Sequence, residues 1–443
     1  MHLAPNRPEV SELSPDLSSD STAAPRAEML NAGVPRVNFD GRLRGKHVGM
    51  VTFSFYPGDP RPRRAVEAFL KEGASVDLLC VGDESTPGRE TLGSLDVSRL
   101  PVRNRRGGKI SYAYQYAAFI LMSSAIFGLR SVRRRYDLVY VNNMPDILVV
   151  SALMPKMLGA KVILDLHDPM PELMITIFKA SKDGLSVRLV RLLEKWSMAR
   201  ANFVLTVNTA CKKIFASRSC PAEKIGVVMN APDSDIFSFR APSPRTPEIT
   251  ATRRPFVIMY HGSLVERNGL DLAVDALSQV RQVVPSVELR IYGKSTPFLE
   301  RVMKAAKDKG LHDAVRYLGP KRLEDLVPEI SDCDLGIIPN HRNAFTEINT
   351  PTRIFEYLAL GKPVVAPRTP GIQDYFTDGS LFFFESGDAA DLARKIEYAY
   401  SHPAEAMATA ERGQEVYLAH TWQQERETLV GLVAKLLSPR ETN

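Results

Sequence analysis

A histidine and an aspartate directly follow a predicted buried strand in the first half of the chain. The run KVILDL leads into His167 and Asp168, and Glu172 lies in the proline-containing turn beyond them. Polar groups at the carboxyl end of a parallel strand lie on the ligand-binding edge of the sheet. An imidazole there can donate to a substrate hydroxyl or position it, while the neighbouring carboxylate tunes its charge. We favour this role over the alternative of structural capping.

A second group of residues surrounds a glycine turn in the second half of the chain. The run YHGSLVERNGL places Gly262 and Ser263 just after a predicted strand that ends at His261, and a helix is predicted to begin near Asn268. Backbone N–H groups of such a turn and of a helix N-terminus bind phosphate well. Arg267 adds a cation that can donate two hydrogen bonds at once. A plain strand-to-helix turn is the alternative.

The third group lies on a predicted short helix in the run TPTRIFEYLALG. Thr350 and Pro351 are predicted as the N-cap and the first residue of this helix. Arg353 falls in the first turn and Glu356 one turn later, so both can lie on the same face. A cation and a carboxylate placed in this way could hold a diphosphate and a ribose or sugar hydroxyl. An exposed ion pair is the alternative.

Two successive series of alternating strands and helices must position these three groups. Apolar runs of strand length, separated by helical patterns, predict βα units, which build parallel sheets. We therefore predict an α/β protein of two Rossmann-like, doubly wound domains that face a central cleft, where such sheets bind ligands. The predicted segments are a disordered N-terminal tail (1–45), an N-terminal domain (46–235), a proline-rich linker (236–255), a C-terminal domain (256–419) and a helix that crosses back to the N-terminal domain (420–443).

The composition of the 443 residues is ordinary for a globular protein, with 44% hydrophobic and 24% charged residues. This composition excludes wholesale disorder, and the absence of a G-X-Y or heptad period excludes collagen-like and coiled-coil classes. The formal net charge of +6 is a mild excess. Four widely spaced cysteines without a CxxC pair indicate neither a zinc site nor a disulfide framework, so we expect a reduced, cytoplasmic compartment: Cys80, Cys211, Cys220 and Cys333.

The first 40 residues are rich in serine, proline, alanine and aspartate and lack an apolar core of the kind that signal peptides have. We therefore expect no secretory signal here. Such a segment buries too little apolar surface to offset its ordering entropy, so we predict that it is disordered. A docking or phosphorylation tail is the alternative.

Residues 110–129 contain no charged side chain, and basic residues flank them on both sides. Their length permits a transmembrane helix, but their tyrosines, glutamine and serines lower the hydropathy, and a span here would interrupt the N-terminal domain. Two interpretations stay open: a core helix, and an interfacial helix that makes peripheral membrane contact through 103–135. Nucleic acid is not expected as a partner, because no recognised binding motif accompanies the arginines. The flanking residues are Arg103, Arg105, Arg106, Lys109, Arg130, Arg133, Arg134 and Arg135.

Several of these segments resemble one protein family. HGSLVERNGLDL and NTPTRIFEYLALGKPVVA are similar to the donor-binding motifs of family 4 glycosyltransferases, and YPGDPRPRRAVEAFLKEGASVDLL and LDLHDPMPE to the acceptor-side domain of that family. The resemblance extends from residue 46 to about residue 435. It implies the GT-B fold, a nucleotide diphosphate sugar as donor, no bound metal or other cofactor, and retention of anomeric configuration. It also implies that Gly58, Asp168 and Glu172 lie on the acceptor side.

The resemblance assigns donor-binding roles to residues of the third group. Glu356 matches the second glutamate of the family's Glu-x7-Glu motif, which implies a contact with the donor ribose. Ile348 stands where the motif has its first glutamate, and the adjacent Glu347 would point elsewhere from an extended backbone. Arg353 matches a basic position of P-x-K-x-x-E-Y variants in the family. Thr350 precedes this segment and is assigned to donor binding with it.

The glycine turn departs from the family pattern. Ser263 and Asn268 stand where the family usually has an arginine and a lysine, and Arg267 is a shifted substitute. The resemblance of this segment to a donor-binding motif still assigns Gly262, Ser263 and Asn268 to donor binding. In the other domain, His167 matches the family's histidine near the reacting sugar.

Together these features predict a metal-independent, hexosyltransferase-like glycosyltransferase that acts on a hydroxyl acceptor with retention. Arg267, Arg353 and helix N-termini would stabilise the departing diphosphate. The sequence shows no obvious covalent nucleophile, and the resemblance implies front-face displacement. The arginine-flanked segment makes a lipid-linked saccharide of cell-surface polysaccharide synthesis the expected acceptor, at the inner face of the membrane. The alternatives are a GT-B-fold epimerase or phosphorylase, and a non-catalytic nucleotide-sugar-binding partner in an assembly complex.

Overall fold

A computed structural model describes residues 41–82, 86–102, 109–243 and 254–438, with only the backbone described for 109–113. Most of the predicted tail, part of the predicted linker and the basic residues 103–106 therefore lie outside the described residues. Contacts divide the chain into two compact units. The N-terminal unit contains residues 41–207, 212–228 and 426–438, and the C-terminal unit contains residues 208–211 and 229–425.

The N-terminal unit contains an eight-stranded sheet in the order β3-β4-β2-β1-β5-β6-β7-β8. Neighbouring strands are parallel, except that β3 and β4 form an antiparallel pair at one edge. The strands β1, β5 and β6 carry the continuous apolar runs that are typical of strands covered on both faces. The strands are β1 (His47–Phe55), β2 (Ser75–Val81), β3 (Arg89–Leu92), β4 (Leu95–Leu100), β5 (Leu138–Asn142), β6 (Lys161–Leu166), β7 (Phe203–Thr206) and β8 (Ile225–Val227).

Helices connect most of these strands as βα units require, whereas β2, β3 and β4 follow one another without a helix. A 3₁₀ segment, Asp146–Ala152, follows β5 and leads directly into the third helix. The helices of this part of the chain are α1 (Pro60–Lys71), α2 (Lys109–Arg133), α3 (Leu153–Met157), α4 (Met170–Phe178), α5 (Leu185–Arg200) and α6 (Thr209–Arg218).

The C-terminal unit contains a six-stranded sheet in the order β11-β10-β9-β12-β13-β14, in which all neighbouring pairs are parallel. Its strands are β9 (Phe256–His261), β10 (Val287–Tyr292), β11 (Val315–Tyr317), β12 (Leu335–Ile337), β13 (Val364–Pro367) and β14 (Phe382–Phe384). The helices of the second part of the chain are α7 (Leu270–Val283), α8 (Pro297–Asp308), α9 (Leu323–Asp332), α10 (Thr352–Ala359), α11 (Pro370–Gln373), α12 (Ala389–Ser401), α13 (Pro403–Ala419) and α14 (Trp422–Leu437).

The predicted fold class is confirmed in both units. In each sheet the first strand lies inside and the chain winds outward in both directions, so that β1 pairs with β2 and β5, and β9 pairs with β10 and β12. The positions between β1 and β5 and between β9 and β12 are topological switch points, where sheets of this kind bind ligands at the carboxyl ends of their strands.

The edge pair β3 and β4 has no counterpart in the sequence prediction. Its outer strand, RETL, is short and carries charged residues, which is how exposed edges avoid pairing with other chains. Arg89 and Asp96 join the two strands through a bidentate ion pair on the solvent side. A strand of this composition lacks the apolar periodicity on which the prediction depends.

The change from the N-terminal to the C-terminal unit falls at Met229, a few residues before the predicted boundary. Met229 and Phe237 are buried in the core of the C-terminal unit, so the segment between them packs there as well. At the other end of the chain, Leu432 of α14 packs over Gly226 in β8, and Glu427 forms an ion pair with Arg42. Residues 426–438 therefore pack as part of the N-terminal unit.

Helix α2 contains most of the uncharged segment and packs through one face only. Phe119 contacts Phe53 of β1 edge to face, with ring centroids 5.1 Å apart, and Phe127 packs against Gly49. Within the described residues, one helical stretch, Tyr114–Arg133, is long and apolar enough to cross a membrane. Only 28% of this apolar stretch is buried. Every fourth residue forms the buried stripe: Gln115, Phe119, Ser123, Phe127 and Ser131.

Candidate active site

The carboxyl ends of β5 and β6 bring His167 and Asp168 beside two asparagines. The side-chain oxygen of Asn143 accepts the His167 N–H at 2.8 Å, and its amide nitrogen donates to the Asp168 carbonyl at 3.1 Å. The same nitrogen donates to the Asp146 carboxyl at 2.9 Å, whose pKa burial raises to about 7. Asn143 therefore fixes the backbone of the turn that presents His167.

The His167 imidazole contacts a buried polar network through its Nε2 atom. Its Nε2 lies 3.2 Å from the Asn142 side-chain oxygen and 3.6 Å from the Asp165 carboxylate. Burial alone would raise the pKa of Asp165, but the charge of Arg61 and the nearby His167 N–H hold it well below its usual range. Two oxygen acceptors beside Nε2 favour the tautomer with the proton there, which leaves Nδ1 with an acceptor lone pair. A group of this kind can accept a proton from a substrate hydroxyl.

The three residues predicted on the acceptor side have different surroundings. Asp168 adjoins His167, and Gly58 is exposed in the turn between β1 and α1. Glu172 lies in the first turn of α4 and is buried, and its two carboxylate oxygens accept hydrogen bonds from Arg218 at 2.6 and 2.8 Å. Arg218 also binds the buried Glu194, so the Glu172 carboxylate lies in a buried charge cluster. The acceptor-side role of these three residues stays a prediction.

In the C-terminal unit, Arg353 lies directly under the glycine turn. Its Nη1 donates to the His261 carbonyl at 2.9 Å and to the Tyr260 hydroxyl at 3.1 Å, and its Nη2 donates to the Asn340 side chain at 3.1 Å. Gly262 has φ of 119°, and a Cβ there would lie 2.7 Å from Arg353 Nη1. A glycine is therefore required both by the backbone and by the guanidinium beneath it.

The remainder of the glycine turn is closed by its own hydrogen bonds. The Ser263 carbonyl accepts from the Asn268 amide and from the Tyr260 hydroxyl, each at 2.8 Å. Arg267 lies beside this turn with its guanidinium 5.9 Å above the Phe345 ring. The Asn268 side chain thus holds the shape of the turn, and the donor-binding roles of Ser263 and Asn268 stay predictions.

Gly269 joins this turn to the loop after β12. Its φ is 68°, and a Cβ would lie 1.9 Å from the Pro339 carbonyl oxygen, closer than any side chain permits. The His341 N–H donates to the Arg267 carbonyl at 3.1 Å. The two loops at the switch point therefore pack as one body, and α7 begins at Leu270, as predicted to within two residues.

Glu356 and His261 meet beneath the turn. The Glu356 carboxylate, 12% exposed, lies 3.4 Å from His261 Nε2, which makes no hydrogen bond within the described part of the chain. Burial, together with the charge of Arg353, lowers the pKa of His261 to about 3, so this imidazole is neutral at physiological pH. A carboxylate has two oxygens that accept hydrogen bonds, and a ligand hydroxyl is a suitable donor to such a group.

The predicted cap of α10 is wrong. The residue before the helix is Pro351, whose side chain makes no capping bond, and the Thr350 hydroxyl donates to the Gly371 carbonyl at 2.7 Å instead. Ile348 is buried, and Glu347 pairs with Arg342 at 2.5 Å. Thr350 therefore positions the segment before α10, and its predicted contact with a donor stays a prediction.

Several polar residues of these sites were missed by the sequence analysis. Asn142, Asn143 and Asn340 follow apolar strand runs, and this position could have identified them. Arg61 and Asp165 carry no such signal, because their partners are distant in the chain. Within the described residues no group of three or more His, Cys, Asp or Glu side chains is arranged to hold a metal ion. Transfer without a metal or another cofactor stays a prediction.

Lowering the pH below about 6.5 is expected to destabilise the C-terminal unit through His261. The unfolded chain takes up this proton near the ordinary pKa of 6.5, whereas the folded unit does so only near 3. The group therefore contributes its full stabilisation above pH 6.5 and loses about 1.4 kcal/mol for each pH unit below it.

The pH dependence of stability that is due to His261 is measured by comparing the wild type with His261→Gln. His341 donates a hydrogen bond to the Asp271 carboxylate, which raises its pKa, so it acts in the opposite direction, and it is present in both proteins. Urea titrations followed by Trp422 fluorescence in a Trp196→Phe background measure the C-terminal unit, since these are the two tryptophans of the chain. The variant should lose less stability than the wild type on acidification; equal losses would contradict the assignment.

Two family models match the chain, one in each unit. Residues 58–231 match the family described as Glycosyl transferase 4-like domain, and residues 255–402 match the family described as Glycosyl transferases group 1.

The curated relatives match over part of their length. The amylovoran biosynthesis glycosyltransferase AmsK of Erwinia amylovora is 26% identical over 198 residues, which are 44% of this chain and 46% of AmsK. The chain thus spans about half the length of the curated relatives it matches.

Solved structures match nearly the whole described chain. Sucrose-phosphate synthase of Thermosynechococcus elongatus superposes with a TM-score of 0.70 at 17% identity, covering 88% of this chain and 99% of that one. Alr3699/HepE of Anabaena superposes with a TM-score of 0.65 at 17% identity, covering 88% of this chain and all of that one. Identities this low establish the fold alone. The chain therefore has the GT-B fold, and each of its two units contains a segment that matches a glycosyltransferase family model.

Proposed function

We propose that this protein transfers a hexose from a nucleotide diphosphate sugar to a hydroxyl of a lipid-linked saccharide during polysaccharide synthesis. The name of AmsK, an amylovoran biosynthesis glycosyltransferase, supports the pathway class. The HepE structures, solved with UDP and with UDP-glucose, support the donor class. The proposal includes retention of configuration, no metal or other cofactor, and a cytoplasmic location at the inner face of the membrane.

The arrangement of Arg353 and Glu356 around the glycine turn carries this proposal. Both residues lie on α10 at the switch point of the C-terminal sheet, where an anionic and hydroxyl-bearing ligand is expected. Glu356 would accept from a ribose hydroxyl, and the α7 N-terminus with Arg267 would face the diphosphate. The charge that develops on the departing diphosphate would be stabilised by these fixed donors.

On the N-terminal unit, His167 would act on the acceptor hydroxyl. Its Nδ1 lone pair can take the hydroxyl proton as the acceptor oxygen bonds to the anomeric carbon. The bond from that carbon to the diphosphate breaks, and the leaving oxygen keeps the electron pair as negative charge. Asp165 and Asn142 would keep the ring in the required tautomer.

A panel of nucleotide sugars tests the donor assignment. The purified full chain is mixed with UDP-, GDP- and ADP-sugars without added metal, and binding is followed by ligand-observed NMR while hydrolysis is followed over hours. Binding of one donor with slow release of its nucleoside diphosphate is the expected result. Failure of every donor to bind a folded sample would overturn the proposal.

His167→Ala is expected to lower kcat by about 10²- to 10⁴-fold, because a positioned acid or base contributes that much to a proton transfer. Donor affinity should change little, since Glu356 and the glycine turn lie on the other unit. Steady-state kinetics with a titration of the donor measure both quantities. The exposed His402 provides the control variant, His402→Ala, which should behave as wild type. Equal losses in turnover and affinity would assign His167 to binding instead.

A non-catalytic nucleotide-sugar-binding role is the second candidate. Two observations favour it. Arg353 donates to three protein acceptors, and Asn268 donates to the Ser263 carbonyl, so these donors are already used within the protein and are less available to a diphosphate. Such a protein would bind a donor in the NMR panel and never release its diphosphate, even with a saccharide acceptor present.

A further inference from the structure

Helix α5 of the N-terminal unit carries three solvent-exposed leucines. Leu185, Leu189 and Leu192 are 85%, 56% and 63% exposed. Their spacing of four and three residues places them on one stripe of the helix. Exposed leucines are ordinary when single, but a row of them indicates a surface that contacts another apolar phase.

The charges of α5 are almost all of one sign. Its single acidic residue, Glu194, is fully buried and bonded to Arg218, so it contributes nothing to the outer face. The other charged residues of the helix are all basic and lie beside the leucine stripe: Arg188, Arg191, Lys195 and Arg200. A helix with an apolar stripe and a basic border is typical of segments that lie in the plane of a membrane surface.

Two neighbouring helices extend this surface. The backbone of α2 at Gly128 packs against Met154 of α3, and Lys156 of α3 donates a hydrogen bond to the Arg200 carbonyl of α5. Met157 on α3 is 81% exposed. The side of α2 opposite its buried stripe is apolar and exposed as well, at Tyr114, Leu121, Leu129 and Val132. We name the exposed sides of α2, α3 and α5 the outer helical face.

We propose that the outer helical face docks on an anionic lipid bilayer, with α5 lying in the headgroup region. The leucines and methionines would enter the acyl boundary while the arginines and lysines contact phosphate headgroups. This inference deepens the proposed function, because a lipid-linked acceptor must be reached at a membrane surface, and it places the contact on α5 and α3 as well as on α2.

A second copy of the chain fits this face less well. In a two-fold symmetric dimer the same patch faces itself, so the four cations of α5 would meet their own copies without acidic partners on that helix. The centre of a protein interface is also depleted in charged residues, whereas basic residues border this leucine stripe. A surface of negative headgroups satisfies both sets of side chains.

Insertion of α2 as a transmembrane span is also disfavoured by its contacts. Its buried stripe packs on β1, and Arg130 at its end lies 3.5 Å from Asp77 and donates to Ser98. A span would have to give up these contacts. Attachment by the outer helical face is peripheral, so salt should remove the protein from vesicles.

Vesicle flotation of the full chain tests the docking surface. Vesicles of phosphatidylcholine alone are compared with vesicles that also contain phosphatidylglycerol, at low and at high salt. We expect flotation with the anionic vesicles at low salt, and its loss with neutral vesicles or at high salt. Absence of flotation with anionic vesicles, or flotation that resists salt, would overturn the proposal.

Exposed-residue variants locate the contact. Leu189→Ser with Leu192→Ser should weaken vesicle binding at least about tenfold, since each leucine loses its burial in the bilayer. Arg188→Gln with Lys195→Gln should weaken it on anionic vesicles. The matched control, Val283→Ser with Leu418→Ser, changes two half-exposed apolar residues of the C-terminal unit and should bind as wild type. Equal binding by all three double variants would remove α5 from the contact.

Two further measurements distinguish membrane docking from dimer formation and from the proposed donor binding. Light scattering after size exclusion should show the same molar mass for the wild type and the leucine variant; a dimer that the leucine substitutions dissolve would make the face an interface between copies instead. Donor binding by NMR should be unchanged in the leucine variant. Loss of vesicle binding with retained donor binding therefore supports the docking surface independently of whether sugar transfer occurs.

Discussion

Replacing Asp165 by asparagine is expected to lower the free energy of unfolding of the N-terminal unit by about 3–5 kcal/mol. The Asp165 carboxylate is fully buried and accepts hydrogen bonds from Arg61 at 2.5 and 2.8 Å and from the Tyr140 hydroxyl at 2.7 Å. Removing one charge of a buried pair leaves the other without compensation, and the Arg61 guanidinium cannot reach water by a small movement.

The pH dependence of this pair follows from its charges. Because Arg61 and His167 outweigh the effect of burial and hold the pKa of Asp165 well below its usual range, the carboxylate is ionised at neutral pH. Its contribution is complete above the ordinary pKa of an aspartate and is lost only as the solution becomes strongly acidic. The variant should therefore differ from the wild type by the full amount at neutral pH.

Urea titration followed by Trp196 fluorescence in a Trp422→Phe background measures the N-terminal unit alone. Asp96→Asn is the matched control, since Asp96 also forms a bidentate pair with an arginine of the same unit, but Arg89 is solvent-exposed. That pair is screened by water and its loss should change stability little. Equal destabilisation by both substitutions would contradict the structural role of the buried network.

Glu356→Ala is expected to lower kcat/KM for sugar transfer by about 10- to 150-fold while the protein stays folded. A charge-assisted hydrogen bond contributes about 1.5–3 kcal/mol, and the proposed contact with the donor ribose is of this kind. Glu356→Gln keeps the volume of the side chain and should lose less, since its amide oxygen still accepts a hydrogen bond.

The control for this prediction is the neighbouring Glu347→Ala. Glu347 lies in the segment before α10, but its carboxylate pairs with the exposed Arg342. Donor titration and steady-state kinetics should therefore give wild-type values for this variant. Wild-type turnover by Glu356→Ala would remove the donor assignment, and circular dichroism of each variant verifies that the unit is folded.

The main features of the fold could be predicted from the sequence because they depend on local patterns. Strands such as FVIMYH and KVILDL are continuous apolar runs, and the residues that follow them lie at the carboxyl edge of a parallel sheet whatever the details of packing. This reasoning placed His167, Gly262 and Glu356 near ligand-binding edges. The same reasoning did not predict β3, because this strand is short and contains charged residues.

The contacts that adjust the chemistry depend on distant residues and could not be predicted in this way. Arg61 and Asp165 are 104 residues apart, and an aspartate within an apolar strand gives no indication of its partner. The burial that makes His261 neutral arises from Tyr357 and Arg353, almost a hundred residues away. Long-range contacts of this kind need the tertiary structure, because periodicity within one segment does not specify them.

The position of α14 sets an order for the folding of the nascent chain. Leu432 packs over Gly226, which Phe203 and Leu205 also approach, yet the ribosome adds Leu432 only after every strand of the C-terminal sheet. During synthesis the apolar surface at β7 and β8 therefore stays uncovered while the second sheet is being made. The core of the N-terminal unit is therefore completed only after the C-terminal sheet has been synthesised. Truncation before α14 would leave exposed apolar surface, which promotes aggregation, on the half of the protein that was synthesised first.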